Sequence, residues 1–547
     1  MAGGLLNLIS FGQESLLFYG NPQKTFFKKK YKQFTNFGMQ RFRLNFNGST
    51  MLRMSEETKF TFTIPRYGDL LYECYLVLKL PDIYSTIRRV PENSPENEWV
   101  PYEFKWIREI GTHFINRMDV KAGSQLLATY TGEYFSAVAQ RDLTGRKIDV
   151  WNQMTGNVPE LFDPANSGQR VNLYPNAILR RRNEQNPNIN TLEPNEGNTI
   201  IPSIKGRTLH IPLETWFSSD IGSAFPLISH QYNELTFDIY LKPVKELYII
   251  RDIKDETFGF PHVSPNVNET YQQLFNFINP PEDTDGNVIE NTNSRWNPDI
   301  HMISTYIFLD KQEREIFAKN SQEYLIKTPY SWEFLNVFGS RQIELDSKGL
   351  VSNYMFRFRR SDAFLRNEWS NYTNFPYDNE PINFQPFLPD PQNFITGNFI
   401  GDSETLNIPN ILVDMAILLD GKFRENSLDS GVYQFIETYR KANGSLKPGL
   451  FLYSFSLDTN TANYQPSGAI NMDLFEKIEF QFNTIIPPKC SDSSQFINQI
   501  CDADGNVIGT RKNTWILNEY AYDLLVLEER YNILVFQNGI CGLMYAR

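Results

Sequence analysis

The chain has 547 residues, of which 41% are hydrophobic and 21% charged, a composition typical of a folded globular protein rather than a disordered or fibrous one. Its formal net charge of −12 repels phosphate backbones and disfavours nucleic-acid binding by the chain as a whole. Aromatic residues reach 14%, with 42 Phe and 28 Tyr, which favours strands and interfaces over helical bundles.

The N-terminal segment differs from the rest of the chain in charge. Residues 15–54 hold eight basic residues and no acidic one; with Glu14 counted, residues 1–54 carry +7 and the remainder −19. This pattern predicts either a solvated basic face or a site for an anionic partner, such as a lipid surface or an acidic protein. The basic residues are Lys24, Lys28, Lys29, Lys30, Lys32, Arg41, Arg43 and Arg53.

Alternation of apolar and polar residues predicts half-buried antiparallel strands along the whole chain. Helical patterns are few, at residues 310–320 and 137–154. The sequence therefore predicts a β protein with minor helix. The predicted strands are KFTFTIP from Lys59, YECYLVLKL from Tyr72, ELTFDIYL from Glu234, NYMFRFRR from Asn353, LFLYSFSL from Leu450 and KIEFQFN from Lys477.

Long polar stretches rich in Asn, Pro and Gly separate these strands, and they exceed ordinary hairpin connections in length. We expect them to form long surface loops that carry function. They lie near residues 155–205, 252–300, 370–410 and 484–515.

An internal repeat is the most informative pattern. The segment FINPPEDTDGNVIENTNSRW (277–296) matches FINQICDADGNVIGTRKNTW (496–515) at an offset of 219 residues, with ten of twenty positions identical. A predicted strand precedes each copy, and an aromatic-aliphatic strand leading to Glu-Arg follows it. We infer two copies of one β domain of about 220 residues, for which a jelly roll or another large sandwich is the physical candidate.

Each copy of the repeat contains Asp-x-Asp-Gly, the beginning of a calcium-loop pattern. With glycine at loop position 6, positions 1 and 12 are Pro281 and Thr292 in the first copy, so two ligands are missing, as they are in the second. Asp-Gly instead predicts a tight turn, because glycine readily adopts positive φ. The predicted structural residues are Asp285, Gly286, Trp296, Asp504, Gly505 and Trp515.

No motif predicts catalysis, a metal or a cofactor. The five histidines form no HExxH or HxH pattern, and GxSxG, phosphate-loop and dinucleotide motifs are absent from the sequence. Paired carboxylates of a glycosidase stay open, because sequence does not reveal their separation. The sequons at Asn47, Asn268, Asn371 and Asn443 are roughly the number expected by chance and predict glycosylation only weakly.

The cysteines and the opening residues bear on compartment. MAGGLLNLIS lacks the basic residue that precedes the apolar part of a signal peptide, and no stretch reaches about 18 apolar residues, so we expect neither secretion nor a membrane span. Cys74, Cys490, Cys501 and Cys541 are scattered and without CxxC spacing, which favours free thiols in a reducing compartment. Pairing of Cys490 with Cys501 is the alternative.

Several segments, colinear from residue 20 to the C-terminus, resemble the major capsid proteins of nucleocytoplasmic large DNA viruses. The first is GNPQKTFFKKKYKQFTNF (20–37), with the family's GNP, TFF and TNF elements. The others are LHIPLETWFSSDIGSAFPLISHQYNELTFDIYL (209–241), YIFLDKQEREIFAKNSQEYLI (306–326), YSFSLDTNTANYQPSGAINM (453–472) and YNILVFQNGICGL (531–543).

The resemblance implies an all-β double jelly roll, two tandem eight-stranded antiparallel sandwiches with long surface loops and minor helix. It implies an N-terminal basal arm over residues 1–35, a first jelly roll over 36–310 and a second over 311–547. It also implies a non-enzymatic shell protein without a cofactor. Three copies would form a pseudo-hexagonal capsomer that tiles the icosahedral capsid of the virion, assembled in the host cytoplasm.

The same resemblance implies several partners. These are further copies of the chain, neighbouring capsomers, minor capsid and penton proteins and, at the base of the capsomer, an internal membrane, with no direct contact to nucleic acid. Lys24, Lys28, Lys29, Lys30, Lys32, Arg41 and Arg43 would then face inward. Two alternatives remain: a carbohydrate-binding or carbohydrate-active sandwich, and a penton-type component, which would have one jelly roll and no repeat.

Overall fold

The structure is a computed structural model of the chain. It describes residues 3–29, 31–48, 51–85, 87–90, 98–177, 201–255, 260–279, 296–377, 409–463, 465–487, 497–501, 507–512, 514–517 and 519–545. Strands dominate these ranges. None of the helices found there is long and apolar enough to cross a bilayer.

Residues before 310 contribute thirteen strands to the described part of the chain. They are β1 Phe37–Leu44, β2 Thr58–Thr63, β3 Leu70–Lys79, β4 Ile87–Val90, β5 Glu98–Pro101, β6 Phe104–Trp106, β7 Ile115–Ala122, β8 Gln125–Thr131, β9 Thr208–Pro212, β10 Leu235–Leu241, β11 Tyr248–Arg251, β12 His262–Val263 and β13 His301–Leu309.

Residues after 320 contribute another twelve. They are β14 Gln322–Val337, β15 Ser340–Glu344, β16 Leu350–Arg360, β17 Leu412–Leu419, β18 Lys422–Asp429, β19 Leu450–Ser454, β20 Ile470–Asn471, β21 Ile478–Thr484, β22 Ile497–Cys501, β23 Val507–Lys512, β24 Tyr522–Gln537 and β25 Ile540–Leu543.

The described helices are short and lie mostly in connections. The α-helices are α1 Gly4–Ile9, α2 Leu16–Tyr19, α3 Ile110–Phe114, α4 Gly132–Asp142, α5 Arg146–Thr155, α6 Pro159–Phe162, α7 Trp216–Ser219, α8 Phe275–Ile278, α9 Lys311–Lys319 and α10 Glu437–Lys441. A π-helical turn spans Val432–Ile436, and 3-10 turns span Gln13–Ser15, Ile221–Ser223, Leu227–Ser229, Val244–Glu246, Thr270–Gln272, Ala363–Leu365 and Met472–Leu474.

The strands form two sandwiches with the same strand order. The first barrel pairs sheet β1-β13-β3-β9 with sheet β2-β10-β7-β8, and the second pairs β14-β24-β16-β19 with β15-β21-β17-β18. Every neighbouring pair in these sheets is antiparallel. Strands distant in sequence thus become neighbours, as in a jelly roll, and the predicted all-β double jelly roll is confirmed.

Period-2 side chains build the core of each barrel. In the first, Leu76 and Met302 from one sheet and Phe62 from the other share a continuous hydrophobic cluster. In the second, Phe356 and Phe480 occupy a separate cluster and contact each other edge to face, with ring centroids 6.0 Å apart. The strands at Lys59, Tyr72, Glu234, Asn353, Leu450 and Lys477 are confirmed as β2, β3, β10, β16, β19 and β21.

Connections leave alternately from the two ends of each barrel, because successive strands run antiparallel, and the longest connections of both barrels all leave from the same end. We call that end the long-loop end and the other the short-loop end. The strand ends at the long-loop end are joined by connections 80–114, 132–207, 242–300, 361–411, 430–449 and 485–521. Those at the short-loop end are joined by connections 64–69, 123–124, 213–234, 345–349, 420–421 and 455–477.

The two barrels stand side by side with the same polarity. At the long-loop end, the Ser264 amide donates to the Leu365 carbonyl at 2.7 Å. At the short-loop end, the amides of Gln231 and Tyr232 donate to the Gly539 carbonyl at 2.8 and 3.0 Å. Each end of one barrel therefore meets the corresponding end of the other.

Two sequence predictions need correction. Residues 137–154 form two helices rather than one, because the chain breaks between α4 and α5 at Gly145, whose φ is +47°. The strand from Asn353 is not half-buried, since every residue of β16 after Leu350 is buried. Its inward side chains fill the second barrel, while its outward side chains contact the first barrel. The helix predicted at 310–320 is confirmed as α9, where Asp310 accepts from the Glu313 amide at 2.8 Å.

Candidate interaction surfaces

The first candidate surface is the contact between the barrels within one chain. Helix α4 and strand β8 of the first barrel lie against β14, β16 and β24 of the second, and we call this contact the barrel seam. Helix α4 begins where the Thr131 hydroxyl accepts from the Tyr134 amide at 3.2 Å. Gly132 allows a close approach, because a Cβ there would lie 1.9 Å from the Thr112 carbonyl oxygen.

Arg141 is the central cation of the barrel seam. Its side chain is fully buried, and its guanidinium lies 3.0 Å from a Glu529 carboxylate oxygen and 2.7 Å from Asp142. Tyr134 and Asn353 also donate to Glu529, at 2.9 and 2.8 Å. Burial alone lowers the pKa of Arg141, but the two carboxylates raise it above its usual value, so the group stays charged.

A second ion-pair group lies along the same helix. Glu133 accepts from Arg357 at 2.8 Å and from Arg359 at 2.9 Å, so one carboxylate of the first barrel bridges two guanidiniums of the second. Burial by itself raises the pKa of Glu133, but Arg357 and Arg359 together hold it well below its ordinary value.

A third contact extends the barrel seam toward the long-loop end. The Lys447 ammonium lies 2.9 Å from Glu109, which also accepts from Ser136 at 2.6 Å. Burial lowers the pKa of the neighbouring His113 to about 3, so its imidazole is neutral, as expected for a structural histidine. Each of these three groups thus pairs a buried charge of one barrel with an opposite charge of the other.

A small cavity of about 40 Å³ lies between the barrels beside these ion pairs. Glu214 and Lys327 line it from opposite barrels, together with Tyr130, Trp216 and Tyr531. Burial, helped by Asp142 and Glu73, raises the pKa of Glu214 to about 7.

The segment before β1 is the second candidate surface. Residues 3–36, which we call the arm, include α1 and α2, and every described residue among them except Ser15 is exposed. The exposed side chains are strongly apolar as well as basic: Leu17 is 83% exposed, Phe26 85% and Phe27 98%. An uncovered patch of this kind marks an interaction site.

The predicted basic residues divide into two groups. Lys24 lies 5.0 Å from the Phe26 ring centroid, and the described side chains offer no carboxylate to Lys28, Lys29 or Lys32. Lys30 lies outside the described residues.

Arg41 and Arg43 belong to β1 rather than to the arm. Arg41 lies 4.0 Å from Glu73, and Arg43 lies 2.7 Å from Asp299. These two residues therefore lie on a sheet face, and the inward orientation of the whole basic group stays a prediction.

The repeat residues are only partly described. Asp285, Gly286, Asp504 and Gly505 lie outside the described residues, and the predicted turns stay predictions. Trp296 donates its indole N–H to the Lys79 carbonyl at 2.7 Å. Trp515 is buried and stacks on Tyr377, with ring centroids 5.6 Å apart.

The four sequons differ in accessibility. Asn47, Asn268 and Asn443 are exposed and stay candidates for glycosylation. Asn371 is buried and donates from its amide nitrogen to the Phe375 carbonyl at 2.9 Å, so a glycan on that nitrogen does not fit this fold.

Two further expectations concern thiols and metals. Cys74 and Cys541 are free and buried, whereas Cys490 lies outside the described residues, so its pairing with Cys501 is untested. The described part of the chain holds no cluster of three or more His, Cys, Asp or Glu side chains arranged for a metal ion.

Sequence reasoning missed the barrel seam. Its residues are scattered along the chain, with Tyr134 and Glu529 separated by 395 positions. One signal was present: Asn353, Arg357 and Arg359 alternate with aromatic side chains in a strand whose polar face would ordinarily carry fewer guanidiniums. Charged residues on a strand that is otherwise apolar need partners if they are buried, so this pattern indicates a contact with another part of the chain.

Two family models match this chain. One, described as the major capsid protein N-terminus, matches residues 25–310, and the other, described as the large eukaryotic DNA virus major capsid protein, matches residues 313–542.

Curated relatives agree with these matches. The major capsid protein of Paramecium bursaria Chlorella virus 1 is 24% identical over 553 residues, covering 100% of both chains. That of Chrysochromulina ericina virus is 26% identical over 348 residues, covering 60% of this chain and 52% of the relative. The chain spans about half the length of the first curated relatives it matches.

Solved structures share the fold. A quasi-atomic model of the PBCV-1 virus capsid aligns with a TM-score of 0.60 at 18% identity, covering 96% of this chain and 100% of that chain. The Faustovirus major capsid protein aligns with a TM-score of 0.61 at 12% identity, covering 98% and 96%.

Proposed function

This chain belongs to the family of large eukaryotic DNA virus major capsid proteins, and from that premise we propose that three copies of it close into a pseudo-hexagonal capsomer that tiles an icosahedral shell. The protein would act through its interfaces, without catalysis or a cofactor. Its place would be the capsid of the virion, assembled in the host cytoplasm.

The observation that carries this proposal is the pair of barrels with identical strand order and the same polarity. The barrel seam joins different faces of the two barrels, helix α4 of one and a sheet face of the other. A head-to-tail contact between equivalent units generates a closed ring when its rotation closes. Three chains would supply six barrels, and six equivalent units give a hexagonal outline.

The arm supports an inward-facing base. It is exposed, basic and apolar, and it precedes β1 at the short-loop end. We assign its partners to minor capsid proteins and to the headgroups of an internal membrane, since basic side chains favour anionic surfaces. The long-loop end would then form the outer surface.

The domain division belongs to the same proposal. Residues 1–35 would form the basal arm, residues 36–310 the first jelly roll and residues 311–547 the second. Contacts with neighbouring capsomers would involve the outside of the ring.

The solution mass and negative-stain outline of the purified chain test the proposed function. We expect a particle of three times 63.7 kDa with six lobes. A stable monomer whose melting temperature rises on addition of sugars would overturn the proposal and support the carbohydrate-binding alternative.

Charge reversal of Lys28, Lys29 and Lys30 to Glu tests the role of the arm. Shell assembly should fail while the trimer persists, because the arm is separate from the barrels. The matched control reverses Arg146, Lys147 and Lys205, which are exposed at the long-loop end, and should assemble normally. Normal shells from the arm variant would refute the assignment.

A further inference from the structure

The helical connection of the barrel seam has a counterpart in the second barrel. Helix α4 follows β8, and the π-turn with α10 follows β18, the equivalent strand of the second barrel. The sequences share a pattern at an offset of 299 residues: Gly132, Tyr134 and Arg141 match Gly431, Tyr433 and Arg440.

In the first barrel this connection is covered. Ser136, Ala137 and Arg141 are buried, and the side chain of Gln140 accepts from the Lys447 amide at 3.1 Å. The Arg141 guanidinium reaches Glu529 on the outer face of sheet β14-β24-β16-β19.

In the second barrel the matching positions are uncovered. Phe435, Ile436, Tyr439 and Arg440 stand where Ser136, Ala137, Gln140 and Arg141 stand in the first barrel, and all four are exposed. Together with Phe423 on β18, which is 57% exposed, we call them the free helix face.

Arg440 shows the contrast most clearly. Its guanidinium lies 5.7 Å from the ring centroid of Tyr439, itself 83% exposed, and no carboxylate of the described residues pairs with it. Arg141, the matching residue, has two carboxylate partners.

In the first barrel the equivalent sheet face is exposed along its edge strand β1, whereas Leu70 on β3 and Ile307 on β13 are buried and pack with Ala224 and Phe317. By strand order, sheet β1-β13-β3-β9 is equivalent to sheet β14-β24-β16-β19 of the second barrel, against which helix α4 packs. In the second barrel, Met355 on β16 and Leu527 on β24 pack into the barrel seam from the outer sheet face, whereas Phe37 and Met39 on β1 are 49% and 46% exposed.

This face also holds a carboxylate. Glu73 on β3 is 29% exposed, with Arg41 4.0 Å away and the Thr305 hydroxyl at 3.4 Å. Such a loosely paired acid complements an incoming guanidinium.

We propose that the free helix face of one copy docks on the outer face of sheet β1-β13-β3-β9 of a second copy, where Arg440 pairs with Glu73. The contact repeats the geometry of the barrel seam between chains. It rests on the proposed trimer, because three such contacts alternate with three barrel seams to close the ring. Aromatic residues and arginine are the residue types that contribute most of the binding energy in protein interfaces, and the free helix face contains both.

A charge swap tests the pairing. Native mass spectrometry across a dilution series should show that Arg440→Glu raises the concentration at which half the trimer dissociates at least tenfold, and that Glu73→Lys does the same. The double variant should recover most of this loss. Leu474→Ser, which alters a side chain 76% exposed outside the face, is the control and should leave dissociation unchanged.

Cross-linking of an introduced cysteine pair tests the same contact by proximity, without weakening the trimer. Tyr439→Cys combined with Met39→Cys should yield covalent dimers and trimers with a short bismaleimide, while each single variant and the unmodified chain should not. The interface would be overturned if the wild type forms trimers, the charge variants dissociate like the wild type and the cysteine pair gives no cross-link. That result would leave the proposed function standing and would point to another protein on the free helix face. A wild-type monomer would overturn both.

Discussion

Arg141 and Glu529 illustrate how a buried charge depends on its partner. Desolvating a carboxylate is costly, and Glu529 is compensated by Arg141 together with hydrogen bonds from Tyr134 and Asn353. The pair connects residues from the two barrels, so losing it should weaken the contact between the barrels.

Arg141→Ala should lower the free energy of unfolding by about 3–5 kcal/mol, because Glu529 would stay buried without its cation. Chemical denaturation measures the change. Arg146→Ala, at an exposed site on the next helix, is the control and should cost less than about 0.5 kcal/mol. A small effect at Arg141 would mean that water or hydrogen bonds alone satisfy Glu529.

Glu214 should make stability depend on pH. Burial raises its folded-state pKa from 4.5 to about 7, so the folded state retains a proton that the unfolded state has lost. Stability is therefore full below about pH 4.5 and falls as pH rises to about 7.

Glu214→Gln should remove that dependence. Relative to wild type, the variant should gain little at pH 4.5 and up to about 3 kcal/mol at pH 8, measured by denaturation at several pH values. Glu160→Gln, at an exposed position, should follow wild type throughout. Parallel curves for wild type and Glu214→Gln would show that the carboxyl ionises normally.

At the scale of elements, alternation was a reliable guide. Strands such as β2 and β10 follow directly from period-2 patterns, because one face of each packs into a core. Burial of the second face of β16 could not be predicted, since it depends on helix α4 more than 200 residues earlier in the chain. The break between α4 and α5 was missed because a single glycine, Gly145, decides it.

Removal of residues 1–36 should leave the barrels intact. The described residues of the arm contribute no buried side chain, so calorimetry should place the melting temperature of the truncated chain within about 2 °C of the full chain. The loss should appear only in shell assembly. Unfolding of the truncated chain would show that the arm supports the barrels.

At the scale of the whole molecule, the internal repeat predicted duplication, and the resemblance supplied the double jelly roll. How the copies meet was beyond sequence alone, because the cationic partners of Glu133 and Glu109, and the Glu529 partner of Arg141, lie on the other barrel. The free helix face could not be predicted from the sequence either. Its match to α4 rests on three identical residues, and these become significant only when the strand order shows that the two connections are equivalent.

The barrels should depend on each other for folding. Alone, the second barrel would expose Met355, Leu527 and the unpaired Glu529, and the first would expose the apolar face of α4. Residues 1–310 and 311–547 expressed separately should aggregate, whereas coexpression should recover a soluble complex on size exclusion. Two soluble, independent halves would contradict this expectation.

The short connection through α9 has a further effect on assembly kinetics. It tethers the two barrels, so that the barrel seam forms at an effective concentration in the millimolar range instead of at the dilute concentration of free subunits. In the proposed six-barrel ring, half of the contacts would then form without any diffusional encounter. The ring would need three molecules instead of six, and an incomplete ring would have fewer ways to stall before it closes.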